Sequence, residues 1–499
     1  IFLSTKLKKK ENNMGKVLGS LKPELLWNHF EEICMRPHPS RKEEKLAEYI
    51  ISVGKRNGLE TLRDEFGNVL VRKPATKGKE NLKTTVLQGH LDMVPEKNSD
   101  VKHDFEKDPI QPYVDGQWVR AKGTTLGSDN GIGVAAALAV MESNDLEHGP
   151  LEFLFTLDEE TGLNGASSLK PGWLKATVLL NLDSEEDGAL YIGCAGGKNT
   201  YAKFSFSKEN VPSEAKAYDI NVTGLRGGHS GLDIAEGRGN AVKILARLLW
   251  NLCSKFDARL AAINSGSKHN AIPREGFATV TVPASKASEL EKFVSQYNET
   301  VKKELATNEP GLTVTAVKSD TPKGVMDKKT QDNLLNVLYA APHGVLTMSP
   351  DIKGLVETST NLAIVQTEDN TVSITTSQRS SVESEKDDAA DMVGSVFTLA
   401  GAEMSHGDGY PGWKPNVKSP ILNVLKSSYE RLYKGEPEVK AIHAGLECGI
   451  INERYSDMDM ISFGPTIVGA HSPDERVKID TVEKFWNLLK EVLKNIPAK

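Results

Sequence analysis

Apolar positions set the frame of this chain. Between residues 20 and 54 they recur at helical spacing, as Leu26, Phe30 and Ile33 and then Leu46, Ile50 and Ile51, so the chain is expected to open in helix. From Gly58 to about Asp183 short β-rich apolar runs take over. Strands are expected at Asn68–Arg72, Thr84–His90, Leu151–Leu157 and Val178–Leu182, around a helix Gly131–Ser143. That alternation predicts a mostly parallel sheet flanked by helices.

After Gly196 the pattern turns to period two, in Tyr201–Phe206 and Phe277–Val282, with amphipathic helices between such strands. Strands with one polar face predict an α+β domain on an antiparallel sheet. From Pro411 the earlier pattern resumes, with helices Ile421–Leu432 and Thr481–Asn495 and strands Val439–Ala444 and Met460–Gly464. The economical reading is an α/β catalytic domain, residues 14–196 and 411–499, interrupted by an inserted α+β lid domain, residues 197–410. Helices near Asn240–Cys253, Ser285–Ala306, Thr330–Ala340 and Asp387–Ala400 suggest that the insert holds one unit twice, although the sequence shows no clean repeat. Gly196-Gly197 and the stretch Gly407–Gly412 have the composition of hinges.

Composition narrows the class. A chain of 499 residues exceeds what one core supports, and 38% apolar with 26% charged residues fits a globular protein. A net charge of −7 without a cluster of basic and aromatic residues argues against nucleic acid. No apolar run reaches the roughly eighteen residues a membrane span needs. Residues 1–13 carry lysines but no apolar segment, so they are not a secretory signal. Met14 has the look of a natural start, preceded by upstream sequence. The cysteines Cys34, Cys194, Cys253 and Cys448 form no CxxC pair and are expected to be buried reduced thiols of a cytoplasmic protein.

The candidate chemistry lies where apolar runs stop. Val86-Leu87-Gln88-Gly89 ends in His90-Leu91-Asp92, Phe153–Leu157 in Asp158-Glu159-Glu160, and Val178–Leu182 in Asp183. Ligand crevices of open α/β sheets lie at the carboxyl ends of strands. Carboxylates gathered there would repel one another unless cations sat between them. Asp129 precedes a helix, where it could cap the helix or hold metal. Glu159 and Glu160, Asp183 and His471 would each pass alone for an acidic turn or a loop histidine. Their occurrence together across one α/β frame points to a metal site.

The motifs Gly89-His90-Leu91-Asp92-Met93-Val94, Gly127-Ser128-Asp129-Asn130-Gly131, Asp158-Glu159-Glu160-Thr161-Gly162, Asn181-Leu182-Asp183-Ser184-Glu185-Glu186 and Gly469-Ala470-His471-Ser472-Pro473 resemble the dinuclear zinc peptidases. That family includes carboxypeptidase G, tripeptidase T and carnosinases, and the match is close to its aminoacyl-histidine dipeptidase (Xaa-His dipeptidase) branch from about Leu21 to Leu493. The resemblance implies that His90 and Asp183 bind one zinc ion, Glu160 and His471 a second, and that Asp129 bridges them. It implies Glu159 as general base, Asp92 as the orienter of His90, and a cis peptide between Asp129 and Asn130. Donor chemistry agrees with two Zn2+ per chain, with Mn2+ or Co2+ as substitutes.

In the insert, Gly227-Gly228-His229-Ser230-Gly231 resembles the family segment that stabilises an oxyanion or binds the substrate end. Asn270, Arg379 and His443 resemble substrate-binding positions, and an arginine suits a free carboxylate. Their bland alternatives are a capping Asn, a solvated Arg and a buried His. The expected substrate is a dipeptide, favouring Xaa-His such as carnosine. The alternatives are N-acyl amino acids or tripeptides as substrates, or a catalytically silent scaffold. A homodimer through the lid is expected from its antiparallel sheet edge, with His229 serving its own chain.

Overall fold

The computed structural model describes residues 17–499; the expected start at Met14 lies outside the described residues. The chain folds into two compact units, one ending at Tyr191 and completed by Lys418–Val439 and Arg454–Lys499, the other formed by Ile192–Val417 and Lys440–Glu453.

An eight-stranded sheet underlies the first unit, in the order Glu60–Arg63, Val69–Lys73, Leu151–Thr156, Thr85–His90, Val178–Asn181, Asp459–Ser462, Ala189–Cys194, Glu438–Ile442. Thr85–His90 runs parallel to Leu151–Thr156 on one side and Val178–Asn181 on the other, and Asp459–Ser462 continues the parallel run. Antiparallel strands flank it. Every residue of the three inner strands is buried, which explains why they read as unbroken apolar runs. Their register sets His90 opposite Thr156 and Gln88 opposite Asn181. The three strands therefore end nearly level, and the acids that follow them emerge at one edge.

The helical opening divides into Glu24–Cys34 and Glu44–Arg56, because Pro37 and Pro39 cannot continue a helix between them. The helix Ser128–Glu142 carries non-helical dihedrals at Asp129 and Asn130, and the peptide between those two is cis. Gly89 lets this helix approach the sheet: a Cβ there would stand 2.2 Å from the side-chain oxygen of Asn130. A small four-stranded sheet, in the order Ile467–Val468, Arg476–Lys478, Trp118–Ala121, Pro112–Asp115, completes the unit. Strands this short leave no periodic signal in the sequence.

The second unit is built on an antiparallel nine-stranded sheet, in the order Thr313–Ser319, Ala215–Thr223, Gly276–Pro283, Arg259–Ser265, Val356–Glu368, Thr371–Ser380, Gly196–Ser205, Glu403–His406, with Gly344–Met348 added beside Val356–Glu368. Helices Ala241–Phe256, Ala287–Glu304, Lys328–Ala340 and Glu383–Leu399 share one core with it, through Leu249, Val294, Leu338 and Phe397 against Ile220, Val280, Leu362 and Ile374. The doubled unit is visible in the strand order. The first half, residues 215–319, runs strand, helix, strand, strand, helix, strand and lies in the sheet as fourth, first, third, second. Gly196–Ser205, which precedes it, and residues 328–406, which follow it, form the other half, with the mirrored order and Gly344–Met348 as an extra strand. The halves meet where Arg259–Ser265 pairs with Val356–Glu368.

The two glycine-rich stretches read as hinges both lie inside this second unit. Gly197 and Tyr410 exchange backbone hydrogen bonds of 3.0 and 2.8 Å, and a Cβ on Gly196 would stand 2.5 Å from the nitrogen of Gly412. Close backbone packing is the physical use of these glycines.

Candidate active site

Two of the acids expected at strand ends, Asp92 and Asp158, are held by nearby donors. His90 Nδ1 lies 3.0 Å from the backbone carbonyl of Asp92 and 3.4 Å from its Oδ1, so the nitrogen left facing outward is Nε2. Asp92 itself accepts Ser40 Oγ at 2.8 Å and the backbone N–H groups of Glu159 and Glu160 at 2.9 and 3.1 Å. The strand ends at 90 and 156 are thus tied together by one buried carboxylate. Glu43, Asp92 and Asp158 also form a buried acidic trio. Ser40, Thr161, Asn164 and the backbone of Arg41 and Asp158 satisfy it, and it orders the loop after the strand.

Asp129 stands between two histidines. Its Oδ1 is 3.1 Å from His90 Nε2 and its Oδ2 is 3.3 Å from His471 Nε2. His90 Nε2 also lies 3.2 Å from Asp183 Oδ1, and His471 Nε2 lies 3.0 Å from Glu160 Oε2. Two groups of candidate ligand atoms result, His90 with Asp129 and Asp183, and Asp129 with Glu160 and His471, each group within 4.8 Å throughout. Asp129 belongs to both. Glu159 forms a further group with His90 and Glu160.

These donors fit a pair of divalent cations. Glu160 Oε1 is buried without a hydrogen-bond partner, and buried Asp183 Oδ1 faces His90 Nε2, a costly condition for carboxylate oxygens unless a cation faces them. Each group combines one imidazole with two carboxylates, a donor set suited to zinc, manganese or cobalt. Charge crowding shifts the proton affinity of these groups. Burial pushes the Asp183 carboxyl up to about 6 despite His90 beside it. Hydrogen bonds donated to Asp129 and Glu160 hold His471 up at about 11.

The second unit gathers its own cluster. The His229 ring accepts the backbone N–H of Gly231 and Leu232 at Nδ1, 3.2 and 3.0 Å away. Burial, followed by the Arg379 charge, lowers its pKa to about 4, so the ring is neutral at pH 7 with its proton on Nε2. Arg379 is buried, donating to Tyr410 Oη at 2.8 Å and to Ser230 Oγ at 3.3 Å. His443 is 2.7 Å from Ser359 Oγ, and its Nδ1 is buried without a partner. Gly231 packs directly on the His443 carbonyl. Asn270 joins through its backbone, whose oxygen accepts Ser230 N–H at 2.9 Å, while its side chain is exposed.

Positions 86–495 match Peptidase family M20/M25/M40. The chain belongs to that family. It is 48% identical to the cytosol non-specific dipeptidase of Escherichia coli over 482 residues, 97% of this chain and 99% of the relative. The aminoacylhistidine dipeptidase of Vibrio alginolyticus superposes with a TM-score of 0.91 at 46% identity, covering 98% of this chain and 99% of that one. An aminopeptidase from Bacillus cereus shares the fold at a TM-score of 0.56 and 15% identity, over 95% and 99% of the two chains.

Several residues of this M20 chain that organise the two clusters escaped the sequence reading. Ser40, Glu43 and Glu475 serve the first, and Ser230, Ser359 and Tyr410 the second. Ser230 sits within a motif already singled out, and Glu475 lies two residues beyond the one that holds His471. The others are distant from these motifs in sequence and carry no local signal.

Proposed function

We propose that this M20 chain is a dipeptidase carrying two zinc ions, hydrolysing Xaa-His dipeptides such as carnosine. The observation that supports this most directly is the carboxylate of Asp129 shared by two ligand groups. His90 and Asp183 would hold one ion and Glu160 and His471 the other, with Asp129 between them. When bound, such a pair lowers the pKa of water and polarises a carbonyl.

The chain's own residues then supply proton transfer and recognition. Glu159 adjoins a ligand without being assigned to the ligand set, as a general base should. It would take one proton from the attacking water, whose oxygen joins the peptide carbon. The same proton would pass to the leaving nitrogen as the C–N bond breaks. Asp92 fixes the ring of His90 so that Nε2 faces the ions. Arg379 offers a guanidinium to the substrate carboxylate. Neutral His229 offers Nε2–H to the developing oxyanion, and His443 and Asn270 complete substrate binding.

The name of the E. coli relative and the four buried cysteines support a cytosolic setting, and no helix among the described residues is long and apolar enough to cross a membrane. Exposed Leu346, Met348 and Val317 on sheet-edge strands support pairing with a second copy.

The deciding experiment compares turnover of β-alanyl-histidine with that of N-acetyl amino acids, which lack the free amine. Preference for the dipeptide is the expected result. Activity confined to the N-acetyl compounds would overturn the dipeptidase reading in favour of an N-acyl amidohydrolase.

A further inference from the structure

Glu475 is almost wholly buried, and its carboxylate is aimed at one turn of backbone. Oε2 accepts the N–H of Leu126 at 2.7 Å and of Gly127 at 2.9 Å. Oε1 accepts the N–H of Ser128 at 2.7 Å, its Oγ at 2.6 Å, and the N–H of Asp129 at 3.3 Å. Both oxygens are thus engaged by the residues leading into Asp129, where the helix dihedrals are broken. A buried carboxylate meeting five donors at a helix start has favourable charge and hydrogen bonding together.

The other end of Glu475 belongs to the loop of His471. Residues 469–475 close the hairpin between Ile467–Val468 and Arg476–Lys478. Ser472 Oγ donates to the Gly469 carbonyl at 2.7 Å and Glu475 N–H to the Ser472 carbonyl at 3.0 Å, which keeps the loop compact. Arg476 pairs with Arg120 on the strand that leads to Leu126. His471 and Asp129 lie 342 positions apart in the chain and share no element. Glu475 is the side chain that fastens one loop to the other.

We propose that Glu475 is a positioning residue that sets the bridging carboxylate of Asp129 against His471, and so fixes the geometry of the dinuclear centre. This rests on the reading that two cations bind there. Glutamine at 475 would keep the shape but turn an amide N–H2 towards backbone donors, which releases part of the turn. Asp129 would then lose its fixed angle while every ligand remained present.

The test uses the full-length protein. Zn2+ affinity is measured by competition with a chromophoric chelator, and the visible absorption of the Co2+-loaded protein reports ligand geometry. Glu475→Gln is expected to keep the parent far-ultraviolet circular dichroism, to bind Zn2+ about 10- to 100-fold more weakly, and to change the Co2+ spectrum. Its kcat should fall with KM little changed. Should Glu475→Gln fail to fold, Ser128→Ala, which removes the 2.6 Å hydroxyl contact alone, is expected to weaken Zn2+ binding in the same direction and by less. Parent affinity and parent spectrum in the variant that folds would overturn the proposal while leaving the metallopeptidase reading intact. A parent protein that binds no Zn2+ would overturn both.

Discussion

Asp92 accepts the backbone N–H of Glu159 at 2.9 Å, across 67 positions of sequence. The assigned base is therefore held in place through its main chain. Glu159→Ala should lower turnover by at least about 10²–10⁴-fold while leaving metal content at the parent level. Kinetics and metal analysis on the same preparation check this. Unchanged turnover at full metal loading would remove Glu159 from the mechanism.

Asp92→Asn keeps the size of the side chain but removes the charge beside His90. Its amide must also turn a donor towards Ser40 or the N–H groups of Glu159 and Glu160. Metal affinity should fall about 10- to 100-fold, the usual cost of losing a partner that orients a ligand. Calorimetric titration of the metal-free variant with Zn2+ measures it.

Dialysis against a strong chelator should abolish activity, and added Zn2+ should restore it. Because the ions bind the folded state, loading should also raise the melting temperature. Metal analysis after mild purification is expected to exceed one ion per chain; a lower value would support the silent-scaffold alternative.

Arg379→Lys retains the charge and loses the planar fork that grips a carboxylate. KM for dipeptides should rise more than kcat falls, since carboxylate binding is common to ground and transition states. A fall in kcat at constant KM would show that Arg379 does something other than hold the substrate end.

The second unit should lose stability in mild acid. Burial lowers His229 and His343 to about 4 and His443 to about 3. Unfolded, the same rings take up protons near the ordinary value of about 6.5. The unfolded state therefore binds more protons between these values, so this stability is fully present above about pH 6.5 and is lost as pH falls towards 4. Hydrogen-exchange protection of the strands Val356–Glu368 and Thr371–Ser380, taken relative to the intrinsic rate at each pH, should fall between pH 7 and 4.5. His443→Gln, which gains no proton there, should reduce that dependence.

The residues that the structure gathers at the strand ends were legible because their signals are local. An apolar run long enough for a buried strand, stopping at His90, Glu159 or Asp183, states both the element and the end at which its polar groups emerge. The parallel frame followed from the same alternation, and the antiparallel insert from its period of two. Pairing was not legible. Nothing in the sequence says that His90 stands opposite Thr156 or that Arg476 pairs with Arg120, because register depends on hydrogen bonds between segments far apart in the chain. The mirrored strand order of the second unit is hidden for the same reason: it lies in which strands pair and not in any repeated run of residues. Glu475 marks the limit most clearly. Its sequence setting is an ordinary polar loop, and only the hairpin at 467–478, lying beside Trp118–Ala121, turns its carboxylate onto the backbone that carries Asp129.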